Sequence, residues 1–163
     1  GLSSLSGAEG LAIRYWTSRS VGVELLTGVS VLDRDTGSTR VALAGGLQVL
    51  YVVREIGRAN LTVGLRATMG YLNENVPDPN VENPNSNEPV VQFAAEVPIT
   101  LEYHFADAFS IQLSTGLLVS MVPKDGAVLG GGPILLGKNQ EPGVLFGIGS
   151  GGLFGSAGVT FYF

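Results

Sequence analysis

Four stretches of this sequence alternate apolar and polar or small residues for a dozen positions or more. In Arg40–Val53, the residues Val41, Leu43, Leu47, Val49, Tyr51 and Val53 share one parity, and Ala42, Ala44, Gly46 and Gln48 share the other. Asn60–Leu72 sets Leu61, Val63, Leu65, Met69 and Tyr71 against Thr62, Gly64, Arg66, Thr68 and Gly70. Val90–Tyr103 and Phe109–Met121 repeat the pattern, and Val21–Val31 and Leu11–Trp16 follow it over shorter spans. A period of two is the period of a β-strand, and nowhere does a helical period replace it. The predicted class is all-β, in one domain spanning residues 1–163.

Which face is buried is the next question. Hydrophobic residues make up 45% of the chain and the mean hydropathy is +0.32, yet no run of about 18 apolar residues exists to form a membrane helix. The apolar content is spread by alternation instead. Alternating strands this long suffice to cross a bilayer at a tilt, with apolar side chains towards lipid and small or polar ones inward. The 24 glycines agree with a narrow interior. Tyr15, Trp16, Tyr51, Tyr71, Phe93, Tyr103, Phe109, Phe161 and Phe163 lie mostly near strand ends, where interfacial aromatic girdles belong.

The connections alternate in length. Thr17–Ser20, Glu55–Ala59 and His104–Ala108 are short. Asp33–Thr39 is polar, Asn73–Pro89 holds four prolines and six asparagines, and Val122–Pro142 is rich in glycine. An up-and-down meander with one short and one long set of connections is the expected topology, with eight strands because single-chain bacterial barrels are even-numbered. Residues 1–7 are barely long enough for the first of the eight. Otherwise Gly143–Ser150 and Phe154–Phe163 form a last hairpin, and the sides of the connections or of the C-terminus change. Pro98 lacks an N–H, so a bulge or local break is expected there.

The C-terminal stretch places Ala157, Val159, Phe161 and Phe163 on one face and Ser156, Gly158, Thr160 and Tyr162 on the other. A last strand of this kind, ending on an aromatic, resembles the terminal strand of bacterial outer-membrane β-barrels. As architecture, the whole chain resembles small eight-stranded barrels of the OmpA/OmpX type. The resemblance implies an antiparallel up-and-down transmembrane barrel in the outer membrane of a Gram-negative cell envelope. It also implies Val159, Phe161 and Phe163 as a signal read by the barrel-insertion machinery, outer-membrane lipid as surroundings, and other envelope proteins met through the long loops. Gly1 is followed by Leu2, Ser3 and Ser4 with no basic start and no apolar core of a secretory signal, which fits a mature or trimmed chain.

Candidate chemistry sits on the inward parity. If Thr17 pairs with Val21, Leu32 with Arg40, Arg54 with Asn60 and Asn73 with Pro89, then Arg14 lies opposite Glu24, Glu24 opposite Gln48, Gln48 opposite Arg66, and Arg66 opposite Glu96. An eight-stranded interior is about filled by side chains, and enclosed charges must be paired. The five residues therefore read as an internal salt-bridged plug; the sharper reading is a narrow polar channel or gate. His104, Ser110 and Glu102 are the residue types of a membrane-embedded lipid hydrolase at loose spacing, and a polar residue at an interface explains His104 as well. Asp33, Asp35, Asp78 and Glu82 lack calcium-loop spacing, and Gly130–Gly132 lacks the Lys-Ser/Thr of a phosphate loop. With no cysteine there are no disulfides or thiolate metal sites, no cofactor is implied, and a net charge of −5 disfavours nucleic acid. The expected role is non-enzymatic: a structural or interaction protein, or an accessory subunit of an envelope assembly. A porin-like small-solute pore is the alternative. A lipid-modifying enzyme and a soluble lipocalin-like carrier rank behind it, the carrier because it would need glycines, Arg14 and Glu96 facing out.

Overall fold

The computed structural model describes residues 2–5, 8–33, 39–75, 89–123, 142–148 and 156–161. They form one antiparallel meander of nine strands: β1 (Leu2–Leu5), β2 (Ala8–Trp16), β3 (Val21–Asp33), β4 (Thr39–Ile56), β5 (Ala59–Asn75), β6 (Val90–Ala106), β7 (Phe109–Val122), β8 (Gly143–Ile148) and β9 (Ser156–Phe161). Each of β1 to β7 pairs with the next. The last two strands are not a hairpin. Both lie along one edge of β7, β8 against Leu117–Val122 and β9 against Phe109–Ser114. Nine segments therefore occupy eight positions across the sheet. Residues 2–5 are strand rather than turn and take the first position. Most of the long connections, and Phe163, lie outside the described residues.

The sheet is barrel-like. From Ile111 on β7, paired residues lead to Val159, Leu2, Leu11, Thr27, Gly45, Met69, Phe93 and back to β7 at Met121. One circuit thus climbs ten residues. With strands about 4.8 Å apart and a rise of about 3.3 Å per residue, that stagger corresponds to a tilt of roughly 40°. The seam is thin: among the described residues β1 meets β9 through two residue pairs, Leu2 with Val159 and Ser3 with Gly158. Higher up, the outer edge of β8 has no partner among the described residues. The same is true of β3 on its β2 side beyond Gly28.

Side chains alternate as the sequence demands. Along β6 every even residue from Gln92 to Glu102 is buried, and every odd one from Val91 to Tyr103 is exposed. Outward apolar residues stay exposed around the sheet, including Leu47 at 60% and Leu65 at 64%. Leu26, which breaks the polar parity of β3, is fully buried. It fits because its partner across the ladder is Gly46, whose missing Cβ would sit 3.6 Å from the Leu26 side chain.

Pro98 produces no bulge. The β5–β6 register is the same before and after it, and only the pairs at Val97 and Pro98 are missing. Proline has no N–H to donate to β5. On the other edge Pro98 stays paired with Gly116, where an added Cβ would lie 2.4 Å from the Val97 carbonyl oxygen. The register shifts that do occur lie near the short turns, between Val52 and Arg54 and between His104 and Ala106. The β4–β5 turn is a two-residue hairpin loop with Gly57 at φ 59°, the left-handed conformation that tight hairpins require. Replacing Gly57 by Val should lower unfolding stability by about 1–2 kcal/mol, because a Cβ is strained there, while Asn should be nearly neutral. Urea unfolding of the two variants checks this; equal losses would mean the turn is not left-handed in solution.

Candidate functional site: a buried charge network

The interior is crossed by one arginine. Arg14 on β2 holds Glu24 on the neighbouring strand through Nη2 at 3.0 Å and Nε at 3.2 Å. Its Nη1 also reaches Glu102 Oε2 on β6 at 3.1 Å, and its Nη2 reaches Gln112 Oε1 on β7 at 2.8 Å. β2 and β6 stand four positions apart whichever way the sheet is followed. On a flat sheet that separation would be roughly 19 Å. The contact exists only because the sheet curls. Arg14, Glu24 and Glu102 expose 6%, 4% and 1% of their side chains. Ser110 donates its hydroxyl to Glu102 Oε1 at 2.5 Å, and the Trp16 ring lies 5.9 Å from the Arg14 guanidinium carbon. Each charge in this layer has partners of opposite sign or hydrogen-bonding partners, as burial requires.

A second group lies nearer the long connections. Arg66 donates through Nε to Gln48 Oε1 and through Nη1 to Glu96 Oε2 at 3.0 Å. Arg14 and Glu24, Glu24 and Gln48, Gln48 and Arg66, and Arg66 and Glu96 are all register partners, so the five form one row across β2 to β6. The sequence ladder does not contain Glu102, Gln112 or Ser110. They lie across the interior rather than along it. Neutral pairs complete the lining: Gln92 with Ser120 at 2.6 Å and Thr100 with Ser114 at 3.0 Å. Glu96 Oε1 is buried without a hydrogen-bonding group among the described residues.

His104 is in register with Ser110, but their chemistry is divided. The Ser110 hydroxyl hydrogen goes to Glu102, while His104 Nε2 lies 3.2 Å from Asn60 Nδ2 and 3.9 Å from Glu102 Oε2. A serine nucleophile needs its proton directed at a base and its oxygen open to substrate; Ser110 is fully buried. At this short-turn end a shallow cavity of about 450 Å³ is lined by Trp16, Arg19, Asn60 and His104, among others. Among the described residues no group of three or more His, Asp or Glu side chains could hold a metal ion. The side chains of Asp33, Asp35, Asp78 and Glu82 lie outside the described residues. Val159 pairs with both Leu2 and Ile111, and Phe161 packs its ring 5.4 Å from Phe109.

Removing one member of a buried ion pair leaves the other charge uncompensated. Arg66→Met or Glu96→Leu alone should therefore cost about 3–5 kcal/mol, and the double variant less than the sum. The exchange of Arg66→Glu with Glu96→Arg should recover part of the loss. A double-mutant cycle read by unfolding gives the coupling; additive losses would mean that water, not the partner, solvates each charge.

Comparison with known proteins places the chain in no family: no family model, no curated protein and no solved structure matches it.

Proposed function

We propose that the chain is a bacterial outer-membrane β-barrel of eight positions whose interior is plugged, and that it works as a structural or interaction protein of the cell envelope. One observation carries this reading. The exposed outer face is apolar around the sheet, while Arg14, Arg66, Glu24, Glu96 and Glu102 are buried on the inner face. A protein stable in water has the reverse distribution. A contiguous apolar belt of this extent needs a cover, and lipid is the cover that suits a single-layer sheet. Aromatic residues support the same placement. Tyr103, Phe105, Phe109 and Phe161 cluster at the short-turn end with ring centroids 4.9–6.0 Å apart, where a headgroup girdle would lie.

The topology supports one assignment of the sides. The β2–β3, β4–β5 and β6–β7 turns are short and lie at the end where Phe161 pairs with Phe109. In an outer-membrane barrel that end faces the periplasm, and the β3–β4, β5–β6 and β7–β8 connections face outward. Interaction with other envelope proteins would then run through the long connections, and Val159, Phe161 and Phe163 would serve the insertion machinery. The paired charges support a plug over the alternative narrow pore, because Arg14 and Arg66 each tie together side chains of different strands across the interior. For the lipid-hydrolase reading, Ser110 is fully buried and its hydroxyl is held by Glu102 rather than by His104, so its oxygen is not open to a substrate. A lipocalin-like carrier would bury the apolar parity, which is the exposed one.

Arginine placed at Leu47 or Leu65 should cost about 2–4 kcal/mol in lipid vesicles if these sites lie near the midplane, and much less near either interface. Planar-bilayer recording of the unmodified chain should be silent. A protein that stays monodisperse without detergent and tolerates both arginines would end the membrane reading, and a steady conductance would replace the plug with the pore.

A further inference from the structure

The mouth at the short-turn end is tied together beyond the last ladder pairs. Val52 N donates to Ser20 O at 2.8 Å, which holds the β2–β3 turn to β4. His104 N donates to Arg58 O at 2.8 Å, which holds β6 to the β4–β5 turn. Within the β2–β3 turn the Ser18 hydroxyl oxygen accepts from the Val21 amide at 3.0 Å and from the Ser20 amide at 3.3 Å. Local side-chain bonds of this kind fix the shape of a turn. Inside this frame lies the cavity of about 450 Å³, lined by Trp16, Arg19, Val52, Glu55, Asn60 and His104, among others. Its volume suits a small ligand.

Two neighbours position the Trp16 ring. It lies 5.9 Å from the Arg14 guanidinium carbon. It also fills the space that a side chain at Gly22 would need, since an added Cβ there would meet ring carbons at 3.0–3.3 Å. Asn60 Nδ2 and His104 Nε2 face each other at 3.2 Å. Arg19 and Glu55 differ from these. Both are exposed, and they come from different elements, the β2–β3 turn and β4. Neither has a hydrogen-bonding or ion-pair partner among the described residues. One cavity is thus lined by an uncommitted guanidinium, an uncommitted carboxylate and an indole ring. A carboxylate and an indole both attract an ammonium group, and a guanidinium pairs with carboxylate or phosphate. A guest of one sign meets one of the two charges as a like charge. A guest carrying both signs satisfies both.

We propose that this cavity binds a small zwitterion, with its ammonium end against Glu55 and the Trp16 ring and its anionic end at Arg19. The site is built from side chains of the mouth and its turns, so it stands whatever covers the outer face of the sheet. With the sides assigned above, it opens towards the periplasm.

Trp16 is the only tryptophan of the chain, so its fluorescence reports on this cavity. The test uses the full chain in a nonionic detergent. It is titrated with two zwitterions, glycylglycine and phosphoethanolamine, and with three probes of one sign, ethanolamine, acetate and inorganic phosphate. A saturable change in Trp16 emission, with shielding from acrylamide, is expected with at least one zwitterion, and the zwitterion that binds tells a carboxylate from a phosphate end. The probes of one sign should bind more weakly. Arg19→Gln and Glu55→Gln, both at exposed positions, should each weaken binding about two- to fivefold and leave the far-UV circular dichroism unchanged. No saturable change with either zwitterion would overturn the proposal. Probes of one sign that bind as tightly would also overturn it, as would variants that bind as well as the unmodified chain. None of these results bears on the bilayer reading, which rests on the outer face.

Discussion

A single sheet with no second layer has to make its interior from one of its own faces. Everything else in this structure answers to that constraint. Two facing sheets, or a sheet and helices, share a core between layers. Here the even-numbered side chains of β3 to β7 meet one another across the curl, in a space about as wide as two long side chains. Arg14 shows how tight the space is: one guanidinium touches its neighbour Glu24 and also Glu102 on the opposite wall. Charges held this way are costly if alone and tolerable if every donor has an acceptor. The network is thus a condition for polar residues to stand inside at all. Specificity for this curl and this register follows from it.

The parities and most strand bounds are legible in the sequence because a period of two is unaffected by tertiary context. So is the row from Arg14 to Glu96: short turns fix the Arg14–Glu24 and Gln48–Arg66 steps, the simplest register across the two longer connections gives the others, and each step needs only the next strand. Glu102 is different. It shares the inward parity, but nothing local links it to Arg14. The link is the stagger: half a circuit of a ring that climbs ten residues displaces the opposing position by about five residues. Glu102 is the inward residue six places from Glu96, and it comes to the height of Arg14. That quantity is a property of the curl of the whole sheet and cannot be read from any pair of strands. The division of the last stave into β8 and β9 escapes for a related reason. Gly143–Ile148 and Ser156–Phe161 each look like a strand, and only the edge of β7 reveals that they lie end to end. Pro98 misleads in the opposite direction. Its missing N–H interrupts pairing with β5 without adding a residue, so there is no bulge.

The same constraint separates the two halves of the interior. The half of the interior nearer the short turns is hydrogen-bonded from wall to wall through Arg14, Glu24, Glu102 and Gln112. The half nearer the long connections carries Ala42, Ala44 and Ala94 on its inward parity, and among the described residues the outer edge of β8 and the edge of β3 beyond Gly28 have no partner there. No nucleophile, metal cluster or cofactor cradle stands out among the described residues.

The central claim is that the outward parity of this sheet lies against lipid. Spin labels placed singly at Leu43, Leu47, Val49 and Val53, in vesicles, measure it through collisions with oxygen and with a water-soluble nickel complex. Oxygen accessibility should be highest at Leu47 or Val49 and fall towards Val53, with nickel accessibility running the other way. High nickel accessibility at all four positions in the folded protein would contradict the account.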